Sequence, residues 1–287
     1  MLVAAPETAE PDPHPQVDLT RLPNLYGATP RGESGHGKLD TVANASAGPR
    51  LRSIGLAVWH FVSGAPLTYI WLSVLMITWN IQQHLSHKQL HDLLLHRSTN
   101  IHALGTDPIH VLFSSLLWLD RTDFEPFEPF LVPFAYLLLF TVFLAPAEHW
   151  LGHLRWLLVG LTCHILATYI SEGILYFAIE EHSASQRLVH SRDIGVSYFL
   201  VGVMAVLSYH IARPWRWGYL GGLVIILGVP LITMDRHELD FTSIGHFTSI
   251  LIGLCFYPLA RECGGPQWNP AKLKAAFGPS RSREASA

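Results

Sequence analysis

Six long apolar runs, separated by polar segments, dominate the sequence. Each has roughly 17 to 24 residues, which at 1.5 Å per helical residue is enough to cross a hydrocarbon core of about 30 Å. Because lipid offers the backbone no hydrogen bonds, such segments cross as helices. The pattern therefore predicts an all-α membrane protein with six transmembrane helices, over residues 56–79, 129–146, 154–170, 194–211, 217–233 and 243–260.

The apolar runs lie within residues 51–262, which are predicted to form one membrane domain. Residues 1–50 are rich in Pro, Ala, Gly, Ser and charge, and residues 263–287 are polar. Segments of this composition bury too little apolar surface to offset the entropy lost on ordering. Both are therefore predicted to be disordered tails.

A long segment, residues 81–128, separates the first two runs and is rich in His. Its one apolar stretch, residues 109–119, is too short to span a membrane. We therefore expect a long loop outside the membrane, in which this stretch lies in the interface or re-enters the bilayer.

The distribution of Lys and Arg predicts the orientation. If the N terminus is cytoplasmic, thirteen of the nineteen basic residues fall in cytoplasmic segments, and such an excess is typical of that side. We expect a multi-pass protein of the cell membrane with both termini cytoplasmic, so that the fourth and sixth helices begin at the outer face. A hydrophobic content of 49% makes the lipid bilayer the implied partner. We find no basic, aromatic-interleaved patch for nucleic acid.

Ser197 and His246 are the candidate catalytic residues. Each lies about three residues into its predicted helix, at a depth of about 5 Å. Polar side chains inside membrane helices are costly unless they find partners, and a hydroxyl and an imidazole at equal depth suit a nucleophile and its general base. Asp193, at the mouth of the fourth helix, is expected to cap that helix, and it could also orient His246.

Small residues lie on the same two predicted helices as this pair. Gly195 and Gly202 lie on the fourth helix, while Ser249 and Gly253 follow His246 by three and seven positions. Small residues at helical spacing allow two helices to approach closely in lipid. They predict packing of the fourth helix on the sixth, with or without catalysis.

This combination resembles the rhomboid intramembrane serine proteases. The resemblance rests on Gly195-x-Ser197, with Gly202 five residues later, and on His246 with small residues three and seven positions after it. In that family the serine attacks a peptide bond of a membrane-protein substrate and the histidine is its general base, with no cofactor. The resemblance implies the same roles for Ser197 and His246.

A second motif of the family agrees with the first. Glu148-x-x-x-Gly152-x-x-Arg155 resembles the turn between the second and third spans of the rhomboid fold. The resemblance covers about residues 66–260. It implies a six-helix rhomboid-like bundle with cytoplasmic termini and a long outer loop between the first two spans.

Two departures from the family pattern divide the functional prediction. Tyr198 follows the serine where the family has glycine, and its ring is expected to crowd the acyl group. The second run has Tyr136 and Thr141 in place of the family's oxyanion donors, a His and an Asn. Losing one such donor lowers a rate on the order of 10²–10³. Gly195, Tyr198 and Asp193 are expected to support the site. The protein is thus either a protease with a weakened oxyanion hole or an inactive relative that binds transmembrane segments of partner proteins.

Two pairs of histidines and residues 243–246 suggest other kinds of site, a metal site and a lipid phosphatase site. His87 with His91, and His149 with His153, have the i, i+4 spacing of two metal ligands on one helix face. Neither an HExxH motif nor an adjacent His pair accompanies them, so no metal is predicted. Residues 243–246 faintly resemble a signature of membrane lipid phosphatases, but the Arg-rich phosphate cradle is missing.

Overall fold

The computed structural model of the chain describes residues 47–120, 128–233, 241–264 and 268–270. The chain divides into two units after Arg50. The predicted tail residues 1–46 and 271–287 lie outside the described residues. In the described ranges the chain forms α1 (Ala47–Gly64), α2 (Pro66–Gln83), α3 (His87–Arg97), α4 (Ile101–Thr106), α5 (Pro108–Ser114), α6 (Glu128–Leu139), α7 (Ala145–Leu151), α8 (His153–Glu180), α9 (Val196–Leu207), α10 (Trp215–Thr233), α11 (Phe241–Cys255) and α12 (Tyr257–Glu262). Trp268, in the predicted C-terminal tail, pairs with Ile211 in an isolated bridge.

Three helical segments are long and apolar enough to cross a membrane: Phe130–Leu151, His153–Glu180 and Trp215–Ile232. The first joins α6 to α7 through five π-helical residues, Phe140–Leu144. The pair α1 and α2 would add a fourth span if the two helices are counted as one. Two further helices, Val196–His210 and Phe241–Cys255, are apolar but shorter. The prediction of an all-α membrane protein is confirmed. That the chain crosses the membrane six times stays a prediction.

The predicted first span, residues 56–79, was expected to be interrupted only mildly by Gly64 and Pro66, but the break is sharp. The chain bends by 89° between α1 and α2, at Ala65. Pro66 has no N–H to continue the ladder of α1, and it disfavours helical geometry in the residue before it. Ala65 accordingly has φ −126° and ψ 58°.

The third span is longer than its apolar run. The predicted span ends at Ile170, but α8 continues through the polar residues Ser171 and Glu172 to Glu180. Both polar side chains are buried, so they lie inside the bundle. Polarity therefore marked an interior face of the helix and not its end.

A buried carboxylate fixes the start of α2. Glu148 lies near the end of the segment Phe130–Leu151. It accepts hydrogen bonds from the backbone amides of Leu67 at 3.0 Å and Thr68 at 2.8 Å. The first amides of a helix have no partner within it, so an acidic side chain satisfies them and complements the helix dipole. His153 Nδ1 lies 2.6 Å from the same carboxylate. Glu148 thus joins α2, α7 and α8.

The rest of this motif fixes the turn into α8. Gly152 has φ +79°, a conformation that only glycine adopts readily. Arg155, one turn further, bonds Glu262 Oε2 at 3.3 Å at the end of α12. The motif Glu148-x-x-x-Gly152-x-x-Arg155 therefore connects α2 and α12 to α8.

The segment between α2 and α6 packs on the bundle. Its apolar stretch forms α5 and a 3₁₀ turn, with Leu112 and Leu116 buried. Trp71 Nε1 of α2 donates to the carbonyl of Leu116 at 2.7 Å. The ring of Trp71 in turn packs on Phe199 of α9, with ring centroids 4.7 Å apart. These contacts connect α5 and α2 to the helix that carries Ser197.

Helices α9 and α11 pack at the level of their backbones. A Cβ atom at Gly253 of α11 would overlap the carbonyl of Gly202 of α9. A Cβ atom at Gly202 would overlap Cys163 of α8. Ser249 Oγ donates to the carbonyl of Tyr198 at 2.7 Å. Small residues thus bring α8, α9 and α11 together, as close helix packing in lipid requires.

Gly253→Ala should destabilise the protein because the neighbouring atom is backbone, which cannot move aside as a side chain can. We expect a loss on the order of 1–3 kcal/mol, typical of an overpacked core, measured as denaturant unfolding of the detergent-solubilised protein. Gly222→Ala on α10 is the control, since a Cβ there meets no atom within 4 Å. Equal stabilities for the two variants would contradict this packing.

Candidate active site

Ser197 is the second residue of α9, and the helix begins at Val196 with Gly195 at its N-cap. Its neighbours Val196 and Tyr198 are buried, whereas Ser197 is partly exposed. The N-terminal turn of a helix also presents free backbone amides and the positive end of the dipole. A hydroxyl at this position is accessible and lies in a favourable place for an anion to develop.

His246 lies in the second turn of α11 and is partly exposed. Its ring packs on that of Tyr198, with centroids 5.3 Å apart and planes at 74°. This edge-to-face arrangement is one that aromatic rings favour. The structure therefore brings the start of α9 and the second turn of α11 together through Tyr198, the neighbour of Ser197.

The side chain of Tyr198 is fully buried, at 0% exposure. We expected it to crowd the acyl group beside Ser197. Its ring instead fills the space over Gly245, where a Cβ atom would overlap it. A large residue after the serine is thus matched by a glycine beside the histidine. Tyr198 belongs to the interface of α9 and α11 and contacts one side of His246.

Asp193 lies two residues before the N-cap of α9 and is buried. We expected it to cap α9, but its carboxyl meets side chains instead: Thr99 Oγ1 donates to Asp193 Oδ2 at 3.3 Å, and the hydroxyl of Tyr198 lies beside it. The Thr99 amide also donates to the Asp193 carbonyl at 2.9 Å. Asp193 therefore holds the turn before Ser197 against Thr99, two residues before α4.

Burial raises the pKa of the Asp193 carboxyl to about 7. The hydroxyls of Tyr198 and Thr99 oppose this increase, and the charge of Asp120 adds to it. Removal from water and a like charge nearby both favour the neutral form of a carboxyl.

A family model described as a rhomboid-like protein matches residues 60–266. This match covers well over half of the chain. The chain belongs to the rhomboid-like family. No curated protein and no solved structure matches it. Family membership and the apolar helices make it a membrane protein in contact with the lipid bilayer.

The rhomboid-like chain also carries polar residues that sequence reasoning missed. They lie on one face of α8 and are buried: His164, Thr168, Ser171 and Glu172. Neither carboxyl oxygen of Glu172 has a hydrogen-bond partner among the described residues. Tyr198 faces Ser171, Glu172 and Asp193 from α9. The signal was present, because spacings of four, seven and eight residues place these side chains on one helix face.

Asp193→Asn should change how stability depends on pH. The pKa of Asp193 in the folded protein, about 7, exceeds that of a free aspartate, about 4. Between these values the folded state holds a proton that the unfolded state has released, so wild-type stability falls as pH rises. The stability of Asp193→Asn relative to wild type should therefore increase from pH 4 to pH 7 and then level off. Asp92→Asn, at an exposed position of α3, is the control. A constant difference across this range in thermal melts would be inconsistent with a raised pKa.

Proposed function

We propose that this rhomboid-like protein is an intramembrane serine protease that cleaves transmembrane segments of other membrane proteins. Ser197 is the nucleophile and His246 its general base. The observation that supports this best is the direct packing of α9 on α11, with Tyr198, the residue next to the partly exposed Ser197, edge-on against His246.

In the proposed reaction, His246 takes the proton of Ser197 Oγ as this oxygen attacks the carbonyl carbon of the scissile peptide bond. The tetrahedral intermediate collapses, the C–N bond breaks, and His246 returns the proton to the leaving amine. Water then attacks the acyl-enzyme, with His246 again as base, and releases the carboxylic acid. Edge-on contact with Tyr198 restricts the imidazole, which favours this geometry.

The Ser197 amide, in the first turn of α9, is the donor we assign to the developing oxyanion. Donors aimed at an oxyanion commonly provide the largest share of catalysis, and each is worth on the order of 10²–10³ in rate. The segment Phe130–Leu151 carries Tyr136 and Thr141, whereas rhomboid proteases have a His and an Asn on their second span. The proposed enzyme is therefore a slow one.

The proposal includes a topology of six crossings with both termini cytoplasmic, in the cell membrane. The shorter helices α9 and α11 then cross as the fourth and sixth spans, with Ser197 and His246 near the outer face. Accessibility labelling of single cysteines placed at each terminus and at Phe113 of α5 tests it. Both termini should be labelled from the cytoplasm and Phe113→Cys from outside, whereas termini on opposite sides would contradict the arrangement.

The lack of a His and an Asn in the predicted second span favours a second function. In this alternative the protein is inactive as a protease and binds transmembrane segments of client proteins. In that case the packing of α9 on α11 matters and the hydroxyl of Ser197 does not. Ser197→Ala would then leave cellular function intact, while Gly253→Ala would impair it.

Labelling with a fluorophosphonate probe distinguishes the two functions. The wild-type protein should be labelled, Ser197→Ala should not be, and His246→Ala should react about 10²–10⁴ times more slowly, as expected on loss of a general base. Ser73→Ala, an exposed serine of α2, should label like wild type. An unlabelled wild-type protein, together with full cellular function of Ser197→Ala, would refute the protease.

A further inference from the structure

We propose that His164 is a positioning residue, which couples α5 to the turn that carries Ser197. This inference rests on the proposed function only where it concerns the nucleophile. His164 lies in the middle of α8 and has 0% exposure. A polar side chain at such a depth is costly and is expected to have a role.

One edge of the His164 ring is bonded to α5. The Nε2 atom lies 2.8 Å from the carbonyl oxygen of Leu112. A carbonyl only accepts hydrogen bonds, so Nε2 carries the proton, and the neutral imidazole leaves Nδ1 as an acceptor. This bond spans 52 residues of sequence and fixes the middle of α5 to α8.

The opposite edge of the ring lies against Gly195. A Cβ atom at Gly195 would overlap Cε1 and Nδ1 of His164. Nδ1 is buried there and faces the backbone of Gly195, although no hydrogen bond of strict geometry forms among the described residues. The ring is therefore held by its bond to Leu112 on one side and by backbone contact on the other.

The backbone of Gly195 shows why this contact matters. Its φ of −75° is one that any residue adopts, so its conformation does not require glycine. What requires a residue without Cβ is the ring of His164. Gly195, two residues before Ser197, thus permits α8 to touch the start of α9, and a shift of the ring would displace that turn.

The path continues from α5 to α2, since Trp71 Nε1 donates to the Leu116 carbonyl just after α5. A displacement of α5, as when a substrate docks beside it, therefore reaches Ser197 through Leu112, His164 and Gly195. His164 touches neither substrate nor reacting atoms in this account. His164 fixes the position of Ser197.

Two variants of His164 test the coupling. His164→Leu fills the space without a donor, and His164→Gln keeps an N–H that can reach Leu112. His164→Leu should increase hydrogen exchange of both residues 108–114 and residues 193–200, and reduce labelling of Ser197 about 100-fold, as expected for a small misplacement. His164→Gln should restore protection of residues 108–114 and most of the labelling. Leu166→Ala, at an exposed position of the same helix, is the control.

A double-mutant cycle isolates the contact with Gly195. Gly195→Ala should impair labelling and lower the melting temperature while His164 is present, and do neither once His164→Ala has removed the ring. Additive effects, or exchange of residues 193–200 in His164→Leu equal to that of Leu166→Ala, would overturn the proposal. If wild type is not labelled at all, the protease fails, but exchange and melting temperatures still decide the coupling. If His164→Leu does not fold, His164→Gln and the cycle decide it.

Discussion

The direct contact between the backbones of α9 and α11 is the constraint on which the candidate site depends. Lipid does not drive apolar helices together as water does, so their association requires close packing and bonds between helices. Gly253 against the Gly202 carbonyl provides the first, and the bond from Ser249 to the Tyr198 carbonyl provides the second. With this register fixed, the ring of Tyr198 has one space available, over Gly245 and beside His246. Tyr198, the neighbour of Ser197, is thereby held edge-on against His246.

A second constraint is the buried carboxylate of Glu148, which lies where α2, α7 and α8 meet. A buried carboxylate is costly unless its oxygens are satisfied. Here two amides of α2 and the ring of His153 satisfy them. Because Pro66 bends the chain just before α2, these amides would otherwise lie exposed to an apolar interior. The bend and the carboxylate therefore depend on each other, and together they fix α2, which carries Trp71 to the α5 turn and to Phe199.

Much of this arrangement could be predicted from the sequence, and the rest failed for identifiable reasons. Apolar length located the α6–α7 segment and α10, since both face lipid over most of their surface. It failed at Ala65, where Gly64 and Pro66 were read as a mild interruption of one helix. It also failed after Ile170, where the apolar run ends but α8 continues, with Ser171 and Glu172 facing the interior. Small-residue spacing indicated the close faces of α9 and α11. No local pattern could show that a histidine of α8 meets Gly195, because that contact depends on how three helices cross.

The polar groups of α8 change how the departures from the rhomboid pattern are understood. Where rhomboid proteases have a His and an Asn on the second span, this chain has a buried polar face on the third, of which His164 and Glu172 are members. Buried polar side chains in lipid cost stability and confer no packing advantage over apolar residues of the same size. They are concentrated beside Asp193 and Tyr198, at the start of α9, which is where polar support of the proposed site would be needed. Tyr198, the large residue after the serine, connects the two sides of this region. Its long side chain contacts His246 and reaches the polar groups of α8. On this argument the tyrosine and the α8 face form one unit, and substituting glycine for Tyr198 would separate His246 from its polar surroundings.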